Sequence, residues 1–310
     1  MLLAALAIVA PIFGLVALGY GAARARLVSS EAGNALSEYV FVLAIPALLF
    51  RIVATADVPA LNPFPFWIAY FGALTICWAL AGFLARRDGR DPREAAVIGF
   101  SAAQSNTVLV GIPMILGTIG EAGAIATILL LAVHLPLTMT AVTLLIARGE
   151  SGAGAWKGLL RSLVTHPILV AIGAGLLWRQ LGVPTPDLMR TLLKYLADSA
   201  APCALVAMGM SMTRVSLAGN RRMIGLIAAI KLVLHPLLVY VLTVHVLSLP
   251  PPIAAAAILF AACPSGINAF LVAERYRVGA SIASGAITLS TLLAVVTMTL
   301  AVTVTMALVK

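Results

Sequence analysis

The sequence predicts an all-α integral membrane protein: ten transmembrane helices in a 5+5 inverted repeat, with two broken helices that cross. Three observations predict it. The first is composition. Of 310 residues, 62% are hydrophobic and 10% charged, with mean hydropathy +1.09. A soluble domain carries roughly 25% charged residues, so there is too little polar surface here to cover a soluble globule. The second is length: apolar runs near 20 residues recur from end to end. That length spans about 30 Å of hydrocarbon as a helix, and the period-two alternation of a β-barrel is missing. The third is that Lys and Arg collect in alternate loops.

The spans follow in order. Residues 2–22 come after a bare methionine, and Arg24 and Arg26 follow them. With no basic segment ahead of it, this run reads as a retained helix and not a signal peptide. Span 2 (36–56) contains Pro46 in "LAIPALLF" and Arg51 near its end; span 3 (64–85) leads into Arg86, Arg87, Arg90 and Arg93. Span 4 (94–117) is interrupted at "SNTVLVGIP", and span 5 (122–147) runs into the polar link "ARGESGAGAWKGLLR". Spans 6 (162–181), 7 (195–213, with Pro202) and 8 (222–248, with Lys231) follow. Span 9 (252–274) is interrupted at "CPSGIN", and span 10 covers 280–308.

The loops after odd-numbered spans hold Arg24, Arg26, Arg86, Arg87, Arg90, Arg93, Arg148, Lys157, Arg161, Arg214, Arg221, Arg222, Arg275 and Arg277. Those after even-numbered spans hold Arg179 and Arg190, with Lys194 at the start of span 7. Cytoplasmic loops carry the Lys/Arg excess. The expectation is a multi-pass cell-membrane protein with cytoplasmic odd loops and both termini outside. The net charge of +9 is mostly this topological signal. No basic domain is available for nucleic acid, so the bilayer is the expected large partner.

The link at 148–161 divides the chain into repeats at 1–147 and 162–310, five spans each. An odd number of spans per half inverts the second half relative to the first. Gly/Pro-broken spans in matching positions are the strongest sequence pointer to a transporter's binding site. Pro113 has no amide proton and clashes with the carbonyl four residues back; Gly111 adds backbone freedom. Half-helices are expected to start near Pro113 and near Gly266. Each would present unpaired amides and about half a positive charge at the midplane, where an anion fits. Gln104, Asn106, Thr107, Gly111, Pro113, Pro264, Ser265, Gly266 and Asn268 are the candidate substrate site, with Arg51 as a further contributor to an anion path. Lys231, roughly 13 Å into the membrane at 1.5 Å per residue, is expected to neutralise half-helix carbonyls.

No cofactor or metal is expected. Cys77, Cys203 and Cys263 have no CxxC spacing, and His134, His166, His235 and His245 no HExxH spacing, so they read as packing residues, the histidines otherwise as carbonyl-bonded. Glu38, Glu121, Asp198 and Glu274 all fall near span ends. Buried carboxylates that would bind a coupling proton or sodium are missing. This favours potential-driven movement of an anion, with sodium bound by carbonyls and hydroxyls still open.

Several of these stretches resemble the auxin efflux carrier family, which holds bacterial organic-acid permeases and plant auxin exporters. "NTVLVGIP" (106–113) is similar to its Asn-Thr-x-x-x-Gly-Ile-Pro signature. "CPSGINAFLVAERYRV" (263–278), "THPILVAIGAGLL" with "GVPTPDL", and "LADSAAPCALVAMGMSM" (196–212) resemble later family segments in the same order. The resemblance implies the fold of bile-acid symporters and sodium/proton antiporters. Spans 1, 2, 6 and 7 would form a scaffold, and spans 3–5 and 8–10 a transport domain crossing at helices 4 and 9. It implies a secondary carrier, not an enzyme, for a small organic anion such as an auxin-like or dicarboxylic acid. An elevator-type cycle and a homodimer through the scaffold go with it. The short central link, and Arg51 where plant exporters carry histidine, set this chain apart from those exporters. A sodium-coupled carboxylate or bile-acid-like symporter is the alternative, and a membrane sensor or structural subunit a remote one.

Overall fold

The structure is a computed structural model and describes residues 1–55, 62–146, 164–214 and 220–309. The expected link at 148–161 lies outside them. Among the described residues helices form every regular element, and the one extended pairing is an isolated antiparallel bridge between Ser105 and Ser265.

α1 is Leu2–Arg24. α2 (Ser30–Tyr39) starts where the Ser29 hydroxyl accepts the Ala32 amide at 3.2 Å, and passes through a wide turn at Val40–Ala44 into α3 (Ile45–Thr55). α4 is Phe64–Arg87. α5 (Pro92–Ala103) is capped by Asp91, whose carboxylate accepts the Arg93 and Glu94 amides at 2.8 and 3.0 Å. After a break, a second wide turn at Thr107–Gly111 leads into α6 (Ile112–Ile119), and α7 is Glu121–Ile146. α8 is Pro167–Leu181 and α9 is Asp187–Ser211. α10 (Arg221–Ala229), a third wide turn at Ile230–Leu234, α11 (His235–Tyr240) and a fourth at Val241–Val246 form one continuous rod. α12 (Pro251–Ala262) ends at the second break, and α13 (Asn268–Tyr276) and α14 (Ala280–Val309) complete the described chain.

Six of these rods are long and apolar enough to cross a membrane: Leu2–Arg24, Glu31–Thr55, Phe64–Arg87, Ala126–Ile146, Arg221–Val246 and Ala280–Val309. Thr107–Ile119, Pro167–Leu181 and Pro251–Ala262 are shorter apolar helices. Large apolar side chains such as Leu3, Leu18, Ile68, Phe83, Val296 and Leu300 face outward. That surface suits lipid, and the chain is a multi-pass membrane protein. α9 begins eight residues before the expected start of span 7, at Asp187 instead of 195. Its charges fit a helix because they pair along it: Arg190 with Asp187 at 3.1 Å and Lys194 with Asp198 at 2.6 Å.

Three of the wide turns share one cause. Each precedes a helix whose second residue is proline: Pro46, Pro113 and Pro236. In each, the residue before the proline donates its amide five residues back: Ile45 to Val40, Ile112 to Thr107 and His235 to Ile230. A proline ring clashes with the carbonyl four back, and widening the preceding turn moves that carbonyl aside without breaking the helix.

Close packing holds the rods together. Gly19 of α1 lies against the Val206 backbone and Gly209 of α9 against the Val16 backbone, so these helices touch main chain to main chain. Loops sort to two ends. The Asn220 amide reaches Asp88 at 3.4 Å, Arg222 reaches it at 4.0 Å, and Gly279 lies beside Glu94. Arg51, Thr185, Arg190 and Leu193 meet around a separate cavity. The loops after spans 3, 7 and 9 therefore share one end.

Candidate functional site

The helix formed by α5 stops at Ala103 because Gln104 turns extended (φ −71°, ψ 116°). α12 stops likewise at Cys263 (φ −57°, ψ 147°). The two short extended segments lie antiparallel. The Asn106 amide donates to the Pro264 carbonyl at 2.8 Å, and the Gly266 amide donates to the Gln104 carbonyl at 2.9 Å. The breaks thus satisfy one another's backbone in the buried interior. A β-carbon on Gly266 would stand 2.8 Å from the Ser105 carbonyl oxygen, so only glycine permits this approach. Gly111 has the weaker form of the same role: a β-carbon there would stand 3.2 Å from the Phe260 ring and 3.3 Å from the Cys263 sulfur.

Side chains complete the crossing. The Ser265 hydroxyl donates to the Ser101 carbonyl at 2.8 Å, and the Ser265 amide donates to the Ser290 hydroxyl at 3.0 Å. The Asn106 Oδ1 accepts the Leu109 amide at 3.3 Å, which makes Asn106 a helix cap; its Nδ2 faces the Met208 sulfur at 3.5 Å. The Gln104 Oε1 is buried without a partner. Thr107 from the first break and Asn268 from the second line one narrow cavity of about 40 Å³, together with Phe41, Leu131, Leu135 and His166. The N-terminal ends of Thr107–Ile119 and Asn268–Tyr276 both begin at this crossing and bring partial positive charge to it.

The structure therefore brings together Gln104, Asn106, Thr107, Gly111, Pro264, Ser265, Gly266 and Asn268. It departs from the expectations at several points. The first half-helix starts at Thr107, not near Pro113, because the wide turn at Thr107–Gly111 absorbs the proline and the chain breaks earlier, at Gln104–Asn106. Pro113 instead lies in a cavity wall with Pro11 and Pro202. The Gly266 amide, expected to be open, is taken by the Gln104 carbonyl of the opposite break. Arg51 is elsewhere: it lines a cavity of about 340 Å³ with Thr55, Thr185 and Arg190, and lies 3.9 Å from Asp198.

Lys231 is fully buried, and its Nζ donates to the Ala261 carbonyl at 2.6 Å, at the end of α12. The His235 Nδ1 lies 3.2 Å from the same Nζ. Tyr70 packs against the His235 and His134 rings at 5.4 and 5.6 Å, and its hydroxyl donates to Ser105 at 3.3 Å. Sequence reasoning expected Lys231 at half-helix carbonyls but missed its neighbours Tyr70, His134 and His235. Its available signal was the four-residue spacing of Lys231 and His235, which stacks them on one helix face. His166 was missed as well; it precedes Pro167 and meets the crossing only through the fold. No Asp or Glu is buried among the residues whose side chains are described, and no group of three or more His, Cys, Asp or Glu there could hold a metal ion.

A family described as "Membrane transport protein" matches residues 4–302. A protein of Rhizobium meliloti named "Putative malonate transporter" is 32% identical over 299 residues, covering 94% of this chain and 93% of that protein. An "Uncharacterized transporter" of Methanothermobacter thermautotrophicus is 26% identical over 293 residues, covering 92% and 93%.

Proposed function

The chain belongs to the auxin-efflux-carrier-like family of membrane transport proteins, and on that premise we propose that it carries a small dicarboxylate such as malonate, bound at the crossing of its two broken helices. One observation carries the reading: Thr107 and Asn268, from opposite breaks, face a single cavity between two helix N-terminal ends. A carboxylate there accepts the Asn268 Nδ2 and Thr107 hydroxyl protons, and the helix ends offset its charge. The Asn106 Nδ2 adds a third donor by turning from the Met208 sulfur, a weak acceptor. The cavity as it stands has room for about three waters, so it widens when a diacid enters.

The wider reading is an alternating-access carrier of ten spans in two inverted halves. Spans 1, 2, 6 and 7 form the scaffold, which can pair in a homodimer. Spans 3–5 and 8–10 move as an elevator with the crossing. The matched breaks, the matched prolines and the grouping of odd loops support it. Odd loops lie in the cytoplasm and the termini outside, following the arginine distribution. With no buried carboxylate among the described side chains to bind a coupling ion, the anion follows the membrane potential, worth about 2.3 kcal/mol per charge at 100 mV.

The test is a binding screen of mono- and dicarboxylates, indole acids included, on purified protein, followed by proteoliposome uptake with an imposed potential. Malonate or a close homologue should bind, and uptake should rise with a potential that draws anions in. Binding of none, or uptake indifferent to potential and strictly dependent on sodium, would replace this reading with the symporter alternative.

A further inference from the structure

Resting on the carboxylate-carrier reading above, we propose that the Lys231 side chain is a tethered cation standing where a carrier of this kind would otherwise hold a mobile one, so that the transport cycle needs neither sodium nor potassium. α12 ends in the protein interior: every residue from 254 to 262 is buried. Its last carbonyls have no amide partner within the helix and form the negative end of its dipole. Carbonyl ends of broken helices are where secondary transporters coordinate sodium or a proton. Here the Lys231 Nζ occupies that end, 2.6 Å from the Ala261 carbonyl, with the His235 Nδ1 at 3.2 Å as its second neighbour.

The surroundings leave this charge unopposed by any carboxylate. The other titratable groups of the cluster are Tyr70, Cys77, His134, His235 and Cys263, and no Asp or Glu is buried among the described side chains. One positive charge matches the helix end. A second, mobile cation beside it would meet like-charge repulsion in a poorly solvated interior. The arrangement also reaches the other break. The His235 ring packs on Tyr70, and Tyr70 bonds Ser105 beside the Thr107–Asn268 cavity. The ammonium therefore holds the carbonyl end of one break and, through two rings, steadies the other.

The test is malonate counterflow in proteoliposomes, which needs no imposed potential, run in sodium, potassium and N-methylglucamine buffers. Wild type should work within about twofold across all three. Lys231→Met, which keeps length and loses charge, should lower counterflow by roughly tenfold or more in protein that stays monodisperse, as befits loss of a charged hydrogen bond. Lys231→Arg should retain a substantial part, and Lys231→Ala should recover severalfold on adding methylammonium, a free ammonium for the vacated end. Lys231→Met at wild-type rate, or a folded Lys231→Ala indifferent to methylammonium, overturns the inference. Should these variants fail to fold, the wild-type comparison decides: counterflow that stops without sodium or potassium overturns this inference and the potential-driven coupling with it, while malonate as the substrate stands. No counterflow in any buffer overturns the carboxylate reading and this inference with it.

Discussion

The two breaks pair with each other but close their loose ends by different chemistry. At the first, the carbonyl end of α5 is met by a neutral hydroxyl, Ser265 on Ser101; at the second, the carbonyl end of α12 is met by the Lys231 ammonium. The amide ends differ as well. Asn106 folds back to cap its own helix, whereas Asn268 stands first in α13, half-buried, with its side chain along the cavity. Similar sequence texture at two breaks thus does not mean equal duty. At the first break the asparagine is spent on its own helix. The second carries both the charge and the freer polar group.

The largest expected effect tests whether the breaks must touch at all. Gly266→Ala drives a β-carbon against the Ser105 carbonyl, a rigid backbone atom. Overpacking of this kind costs about 1–3 kcal/mol, and here it also parts the paired segments. Carboxylate binding should vanish and the melting temperature should fall. Wild-type affinity in Gly266→Ala would show that the pairing is dispensable.

Next comes the contrast between the asparagines. Asn268→Ala should weaken malonate binding by roughly ten- to a hundredfold, the range for a hydrogen bond to a charged group, with little change in melting temperature. Asn106→Ala should do the reverse. Losing a cap costs about 1 kcal/mol of stability, and affinity should fall less than in Asn268→Ala. Isothermal titration and thermal unfolding on the same preparations separate the two. Equal losses of affinity would make both asparagines ligands and erase the asymmetry.

Arg51→Gln should give the smallest effect. Its guanidinium is partly exposed and only 3.9 Å from Asp198, in a cavity away from the crossing. Exposed charges contribute little and are screened by salt. The half-saturating malonate concentration for uptake should rise about two- to threefold at low ionic strength and show no change at high salt. A loss as deep as that of Asn268→Ala would move the binding site toward Arg51.

Much of this was legible in the sequence. Hydropathy locates long helices because burial in lipid is a property of each residue alone. The interruptions at "SNTVLVGIP" and "CPSGIN" stand out for the same reason. The position of the first break was not legible. Pro113 is the stronger helix breaker by itself, but a wide turn relieves it, and the chain opens at Gln104–Asn106, where Pro264 and Gly266 offer backbone partners. Partners from 160 residues away leave no local mark. The cluster of Tyr70, His134, Lys231 and His235 was hidden likewise, since Tyr70, His134 and the Lys231–His235 pair come from three separate rods.

The wide turns have a consequence for comparing this chain with its relatives. Val40–Ala44, Thr107–Gly111 and Ile230–Leu234 each close a hydrogen bond over one residue more than an ordinary turn. One residue advances a helix by about 100°. Pro46, Pro113 and Pro236, with all that follows them in each rod, therefore face a different compass direction from the one a regular wheel drawn from the helix start assigns. A homologue that lacks such a turn matches this chain only with a one-residue gap at that point. Aligned without it, the positions beyond would be assigned to faces turned about 100° from their own.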